Sequence, residues 1–109
     1  MENKQPSTTL KVSTGVVKRA VKELEMYRQE VQDGEQKLST MPVNDNFYSQ
    51  TQKALEESRT LYKRTNDRLR DALNDLDSKL KGISSTNPDM EEALSWSQKA
   101  KSTLATLSN

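Results

Sequence analysis

An apolar residue recurs at every seventh position from Leu10 to Leu38, and this repeat limits the fold more than any other feature of the chain. On an α-helix such a repeat forms a narrow apolar stripe, slanted so that it can wind around a neighbouring helix. The rest of this segment is rich in charge, so the predicted helix is amphipathic and needs other helices to cover one side. The stripe consists of Leu10, Val17, Leu24, Val31 and Leu38, with Ala20, Tyr27 and Met41 three residues after repeat positions and Val21 beside them.

We expect this first helix to cover residues 9–41, after a frayed polar tail at 1–7. Hydroxyl side chains at 7–9 can cap its start, because their oxygens accept hydrogen bonds from free N–H groups of the first turn. Pro42 ends it, since proline has no N–H and disfavours helical backbone in the residue before it.

Two glycines fall within this segment, and each costs about 1 kcal/mol relative to alanine in a helix interior. Gly15 lies either inside the helix or just after a later start that is capped by Ser13 or Thr14. Gly34 lies on the apolar stripe, where it either admits the close approach of a neighbouring helix or is a tolerated weak point.

A second helix is predicted over residues 45–81, and the glycine that directly follows ends it. Asn44 or Asp45 can cap its start, and with Asn44 as the cap Val43 and Tyr48 would form a hydrophobic staple. The connection to the first helix is short, which makes the two helices antiparallel neighbours. The seven-residue repeat here is Tyr48, Leu55, Tyr62, Leu69, Leu76 and Ile83, flanked early by Phe47, Ala54 and Leu61 and later by Ala72, Leu73 and Leu80.

The third helix, predicted over residues 88–107, has the clearest start signal in the chain. Asn87 is a good cap, Pro88 suits the first helical position, and acidic residues occupy the first turn. Trp96 lies at the edge of the apolar face, where either core packing or partner binding suits it. That face consists of Met90, Ala93, Leu94, Ser97, Ala100, Leu104 and Leu107.

These elements predict an all-α fold, namely an elongated, antiparallel, coiled-coil-like three-helix bundle whose third helix is shorter than the others. The length of 109 residues suits a single domain over residues 1–109. The third helix would be roughly 30 Å long against roughly 50 Å for each of the others, so it can cover only part of the first pair.

The chain contains no histidine and no cysteine, which removes the side chain most used for proton transfer, the commonest metal ligand and all thiol chemistry. Carboxylates one or four residues apart could form an acid/base pair, but arginines alternate with them, as on a solvated helix face. We therefore expect no enzyme, no bound cofactor and no metal site. The carboxylates in question are Glu56, Glu57, Asp67, Asp71 and Asp75.

The 17 basic and 16 acidic residues are interspersed and leave a net charge of +1, which argues against a nucleic-acid partner. No apolar run is long enough to cross a membrane, and the start of the chain has no signal-peptide pattern. From the residues alone we expect a cytosolic interaction module.

Two stretches of the chain match motifs of a known family. The first is Thr14-Gly15-Val16-Val17-Lys18-Arg19-Ala20-Val21-Lys22-Glu23 followed by Met26-Tyr27, and the second is Glu57-Ser58-Arg59 followed by Leu69, Ala72, Leu73, Asp75 and Leu76. They resemble the first helix and the later part of the second helix of the tubulin-specific chaperone A family, also called tubulin-folding cofactor A. The resemblance covers roughly residues 10–81. Where the family often carries a proline after E-S-R this chain has Lys63, which leaves a kink in the second helix open, and residues 84–109 match no motif.

The resemblance implies a three-helix bundle that binds β-tubulin folding intermediates released from the cytosolic chaperonin. Such proteins hold β-tubulin in a near-native form and pass it to other tubulin-folding cofactors, without nucleotide hydrolysis. It further implies a cytoplasmic, cytoskeleton-associated protein. The residues themselves argue against a nucleic-acid or membrane partner and leave the oligomeric state open between a monomer and a weak homodimer. As contact residues we select polar, exposed positions in the matching segments: Lys18, Arg19, Lys22, Glu23, Glu57 and Arg59.

For each of these residues the alternative is a solvated helix face. For the whole chain the alternative is a structural or regulatory three-helix interaction module of the spectrin-like or trafficking type. A spectrin repeat would be expected in tandem copies with helices of comparable length. A trafficking-type domain would be expected to precede a SNARE region and a membrane anchor.

Overall fold

This computed structural model describes residues 6–83 and 86–107, except for the side chains of 6–8 and 107. The described residues form three α-helices and the turns between them. The helices are α1 (Pro6–Ser39), α2 (Tyr48–Lys81) and α3 (Met90–Leu107). The molecule measures 66 × 27 × 16 Å, so the predicted elongated bundle with a shorter third helix is confirmed. The predicted tail at 1–5 and the loop residues 84 and 85 lie outside the described residues. No helix in the described part of the chain has the length and apolarity that crossing a membrane requires.

The first helix starts earlier and ends earlier than its sequence pattern predicts. It begins at Pro6, so a frayed tail that includes residues 6 and 7 is wrong. Proline suits this position, because the first N–H groups of a helix have no partner inside it. The helix continues through Gly15, which excludes the later start. It ends at Ser39, and a tighter turn follows in which the Met41 N–H donates to the Leu38 carbonyl at 3.2 Å.

The second helix begins at Tyr48 and not at Asp45. The Asp45 carboxylate accepts a hydrogen bond from the Phe47 N–H at 2.7 Å, which holds this segment in a turn. The predicted staple is also wrong, because Val43 is exposed. The helix then runs without a break through Lys63, and the Gly82 N–H closes its end on the Lys79 carbonyl at 3.1 Å.

The third helix begins at Met90, two residues after its predicted start. Asn87 does bond the backbone at this end, since its side-chain oxygen accepts from the Asp89 N–H at 2.8 Å. Glu91 and Glu92 lie in the first turn, where negative charge stabilises a helix. Leu94, predicted on the apolar face, is half exposed beside the groove between α2 and α3.

The hydrophobic core lies where all three helices meet. Leu10, Val17 and Leu24 of the seven-residue repeat are fully buried there, as are Leu69 and Leu76 of α2. Each such side chain stabilises the fold by about 1.5–3 kcal/mol through its removal from water. The core is completed by Ala20, Val21, Ala72, Leu73, Ala93 and Ala100.

The same repeat is less buried farther along α1, because α3 is too short to cover it. Thr106, one residue before the end of α3, lines a groove beside Arg28 and Gln29 of α1. Val31 and Leu38 lie beyond this level and are only half-buried. We call residues 31–61, in which α1 packs on α2 alone within the described part of the chain, the two-helix arm.

Within the two-helix arm, Gly34 brings the two helices close together. A Cβ atom at this position would lie 3.0 Å from Leu55 Cδ1, so the close-approach explanation of this glycine is confirmed. Phe47, Ala54 and Leu61, predicted to flank the apolar stripe of α2, are exposed, and Phe47 retains 63% of its accessible surface. No further helix of the described residues packs on them, which explains the difference.

Candidate partner-binding surface

Lys18 joins two helices in the bundle. Its Nζ atom lies 5.8 Å from the centre of the Trp96 ring, within the range of a cation–π interaction. Trp96 is half-buried and packs against the core cluster, so core packing is its structural role. Lys18 is half-buried as well, and its charge is partly committed to this contact.

Glu23 also has a partner inside the molecule. Its carboxylate forms an ion pair with Arg68 across the α1–α2 groove, and both side chains remain about half exposed. The pair lines a shallow groove together with Val16, Arg19 and Ala20. A surface pair of this kind contributes at most about 1 kcal/mol, so it remains available for exchange with a partner's charges.

Arg59 and Glu57 lie farther along, in the two-helix arm. The Arg59 guanidinium donates to the Glu35 carboxylate at 3.0 Å. Glu57 is exposed beside Leu61 and Arg64. Residues two positions apart on a helix point about 200° apart, so Glu57 and Arg59 do not share a face.

The structure therefore does not bring the six selected residues into one site. Glu23 and Glu35, which mark the levels of the two ion pairs on α1, are twelve residues apart, or about 18 Å. Arg19 and Lys22 lie on the outer side of α1, are exposed, and have no ion pair among the described residues. The role of all six residues in partner binding stays a prediction.

Residues that the sequence pattern did not single out share the outer side of α1 with Arg19 and Lys22. Lys11 is exposed, and Val12 and Met26 retain 62% and 48% of their accessible surface. One signal could have found the apolar pair: Val12, Arg19 and Met26 recur every seven residues, outside the buried repeat.

At the opposite end of α2, Asp75 belongs to a small polar network. Its carboxylate accepts hydrogen bonds from the Ser13 hydroxyl at 2.9 Å and from the Lys79 ammonium at 3.1 Å. The Ser13 hydrogen bond, followed by Lys79, lowers the pKa of this carboxyl from its ordinary value. Lys79 also donates to Ser13 at 2.7 Å, so the network ties the start of α1 to the end of α2. Among the described residues no group of three acidic side chains is placed to hold a metal ion.

Comparison with known proteins agrees with this architecture. Residues 5–104 match the family described as Tubulin binding cofactor A. The tubulin-specific chaperones A of Rattus norvegicus and Oryctolagus cuniculus are each 38% identical to the chain over 87 residues, which is 77% of this chain and 77% of each relative.

Solved structures give the same result. Tubulin folding cofactor A from Arabidopsis thaliana superposes with a TM-score of 0.78 at 31% identity, over 89% of this chain and 96% of its own. The human tubulin chaperone cofactor A superposes with a TM-score of 0.64 at 29% identity, over 96% of this chain and 100% of its own. The Leishmania major protein, at 24% identity and a TM-score of 0.71 over 95% of this chain and 97% of its own, shares the fold. This chain belongs to the tubulin binding cofactor A family.

Proposed function

We propose that this protein is a tubulin-folding cofactor. It binds β-tubulin folding intermediates released from the cytosolic chaperonin, stabilises them and passes them to other tubulin-folding cofactors in the cytoplasm. The observation that supports this most strongly is the family match over residues 5–104. Relatives named tubulin-specific chaperone A, which are 38% identical to the chain, support it further.

The shape and surface of the bundle suit binding without catalysis. α1 and α2 are each 34 residues long, and their outer faces carry charges of both signs. A partner can exchange its own charges for the internal ion pairs, because these pairs are exposed and individually weak. The tubulin contacts would include Lys18, Arg19, Lys22 and Glu23 on α1, with Glu57 and Arg59 on α2.

Co-elution with freshly folded β-tubulin tests this function. Labelled β-tubulin and α-tubulin are released from the chaperonin in the presence of the protein and separated by size exclusion, with an unrelated acidic protein as a control. Selective capture of β-tubulin is the expected result. Equal capture of the acidic control, or no capture at all, would contradict the cofactor role.

The contact residues are tested in the same assay. Reversal of charge at Arg19 and Lys22 is expected to weaken capture, whereas reversal at Lys53 and Lys81, which are exposed on α2, is the matched control. If β-tubulin is still captured after charge reversal at Arg19 and Lys22, the proposed function stands but these two residues do not contact tubulin.

A further inference from the structure

The beginning of α1 has an unusual charge distribution. From Pro6 to Lys22 the helix contains four basic residues and no acidic residue. One of the four, Lys18, lies over Trp96. The other three, Lys11, Arg19 and Lys22, are exposed and have no acidic partner among the described residues. Other exposed cations that have no ion pair in the described bundle, such as Lys53, Lys63 and Lys81, lie on α2 among acidic residues, so the absence of acidic residues from Pro6 to Lys22 is what distinguishes the start of α1.

The three unpaired cations lie along one stripe of the helix. Lys11, Gly15, Arg19, Lys22 and Met26 are separated by three or four residues, which places them one above another on the same face. Gly15 leaves the middle of the stripe flat, and a guanidinium nitrogen of Arg19 lies 3.7 Å from the position that a Cβ atom of this glycine would occupy.

Two exposed apolar side chains mark the ends of this stripe. Val12 lies next to Lys11, and Met26 lies one turn after Lys22. We call the set of Lys11, Val12, Gly15, Arg19, Lys22 and Met26 the cationic strip. From Lys11 to Lys22 it extends over about 16 Å, the length of a short peptide segment.

The composition of the strip indicates what it can bind. Three unneutralised cations attract negative charge, and apolar groups at both ends favour a ligand that also has apolar side chains. A long polyanion fits poorly, because Glu23, Glu25 and Glu30 follow the last cation of the strip, Lys22, and the net charge of the chain is only +1. A short acidic protein segment meets both requirements better than a nucleic acid or an anionic membrane.

We propose that the cationic strip on α1 binds an acidic segment of the client protein that contains apolar side chains. This inference rests on the proposed function, because it assigns to the client the segment that is recognised. Lys11, Val12 and Met26 thereby join Arg19 and Lys22 in the binding surface.

Fluorescence anisotropy with a defined probe tests the inference separately from tubulin capture. The probe is a short fluorescein-labelled peptide rich in Glu with two Leu residues, and its control has every Glu replaced by Gln. The strip variant is Lys11→Gln/Arg19→Gln/Lys22→Gln. The matched control variant is Lys53→Gln/Lys63→Gln/Lys81→Gln, which removes the same charge from exposed positions on α2. Circular dichroism verifies that both variants are folded.

We expect the acidic peptide to bind the wild-type protein, and the Gln peptide to bind far more weakly. The strip variant should bind the acidic peptide about tenfold more weakly, while the control variant changes less than threefold. Binding should weaken as salt is raised, because exposed charges are screened. Val12→Ser/Met26→Ser should weaken binding with little change in this salt dependence.

Equal affinity of the strip and control variants for the acidic peptide would overturn the inference. Strip-dependent binding of a single-stranded oligonucleotide, or of phosphatidylserine vesicles, that is tighter than binding of the peptide would also overturn it. Tubulin capture is measured in parallel on the same variants. Peptide binding without tubulin capture would support the strip as a site for acidic peptides and contradict the proposed function. Tubulin capture without peptide binding would support the proposed function and contradict the role of the strip.

Discussion

The ammonium group of Lys18 lies 5.8 Å from the centre of the Trp96 ring, and this contact connects the first helix to the third. Lys18→Gln is expected to lower the free energy of unfolding by about 0.5–1 kcal/mol, since it removes a partly desolvated cation–π interaction. Lys22→Gln is the matched control, because Lys22 is exposed and has no ion pair among the described residues. Urea denaturation measures both. The same small effect for the two variants would mean that the ring contact contributes nothing.

The two helical glycines allow a second matched comparison. Gly15→Ala is expected to raise the free energy of unfolding by about 0.5–1 kcal/mol, because alanine is the better helix former and only the flexible end of Arg19 lies nearby. Gly34→Ala should give a smaller gain or a loss, since its Cβ would lie 3.0 Å from Leu55 Cδ1. Thermal and urea unfolding of both variants check this. Equal stabilisation by the two substitutions would contradict a tight helix contact at Gly34.

Leucines of one repeat should differ in their contribution to stability. Leu24 is fully buried in the three-helix core, so Leu24→Ala is expected to cost about 2–5 kcal/mol. Leu38→Ala, in the two-helix arm, should cost about 1 kcal/mol or less, because Leu38 is only half-buried. Chemical denaturation at constant temperature gives both values. A comparable loss at the two positions would show that the arm is as firmly packed as the core.

The network around Asp75 predicts a dependence of stability on pH. The Ser13 hydroxyl and the Lys79 ammonium lower the pKa of Asp75 in the folded state, so the folded carboxyl binds its proton less readily than the unfolded one. The resulting stabilisation is present above the unfolded pKa of about 4 and is lost as pH falls through the folded value. The side chain is 54% exposed, so the effect should remain below about 1 kcal/mol.

Asp75→Asn should therefore be less stable than the wild type at pH 7 and nearly equal to it well below pH 4. Asp71→Asn, exposed one turn earlier on α2, is the control. Urea midpoints at a series of pH values measure the difference. A difference in urea midpoint between Asp75→Asn and the wild type that stays constant down to the lowest pH would contradict the lowered pKa of Asp75.

Apolar periodicity and capping signals were sufficient to predict three helices. The seven-residue repeat of α1 also predicted the burial of Leu10, Val17 and Leu24, because helical periodicity places these residues on one side whatever the partner is. Helix ends were less predictable. The Asp45 carboxylate accepts a hydrogen bond from the Phe47 N–H and so holds a local turn. Aspartate is also common at the start of a helix, so the residue type alone does not distinguish the two.

The candidate surface was predictable only in part. Sequence similarity pointed to Lys18, Arg19, Lys22 and Glu23, yet which charges are paired depends on the register between helices. Glu23 meets Arg68, and Arg59 meets Glu35, only because α1 and α2 are aligned at those levels. No local sequence pattern specifies the register between α1 and α2. The sequence alone therefore does not show which cations form an ion pair in the folded protein.

α3 is 18 residues long against 34 for each of the other helices. One end of the bundle is therefore held together by three helices and the other by two. Near Leu24 an opening fluctuation must separate three helices at once, whereas near Leu38 it separates only two. Backbone amide hydrogens should accordingly exchange faster in the two-helix arm, while the rest of the chain remains folded. We expect the two-helix arm to open and close again while the three-helix core keeps the chain folded.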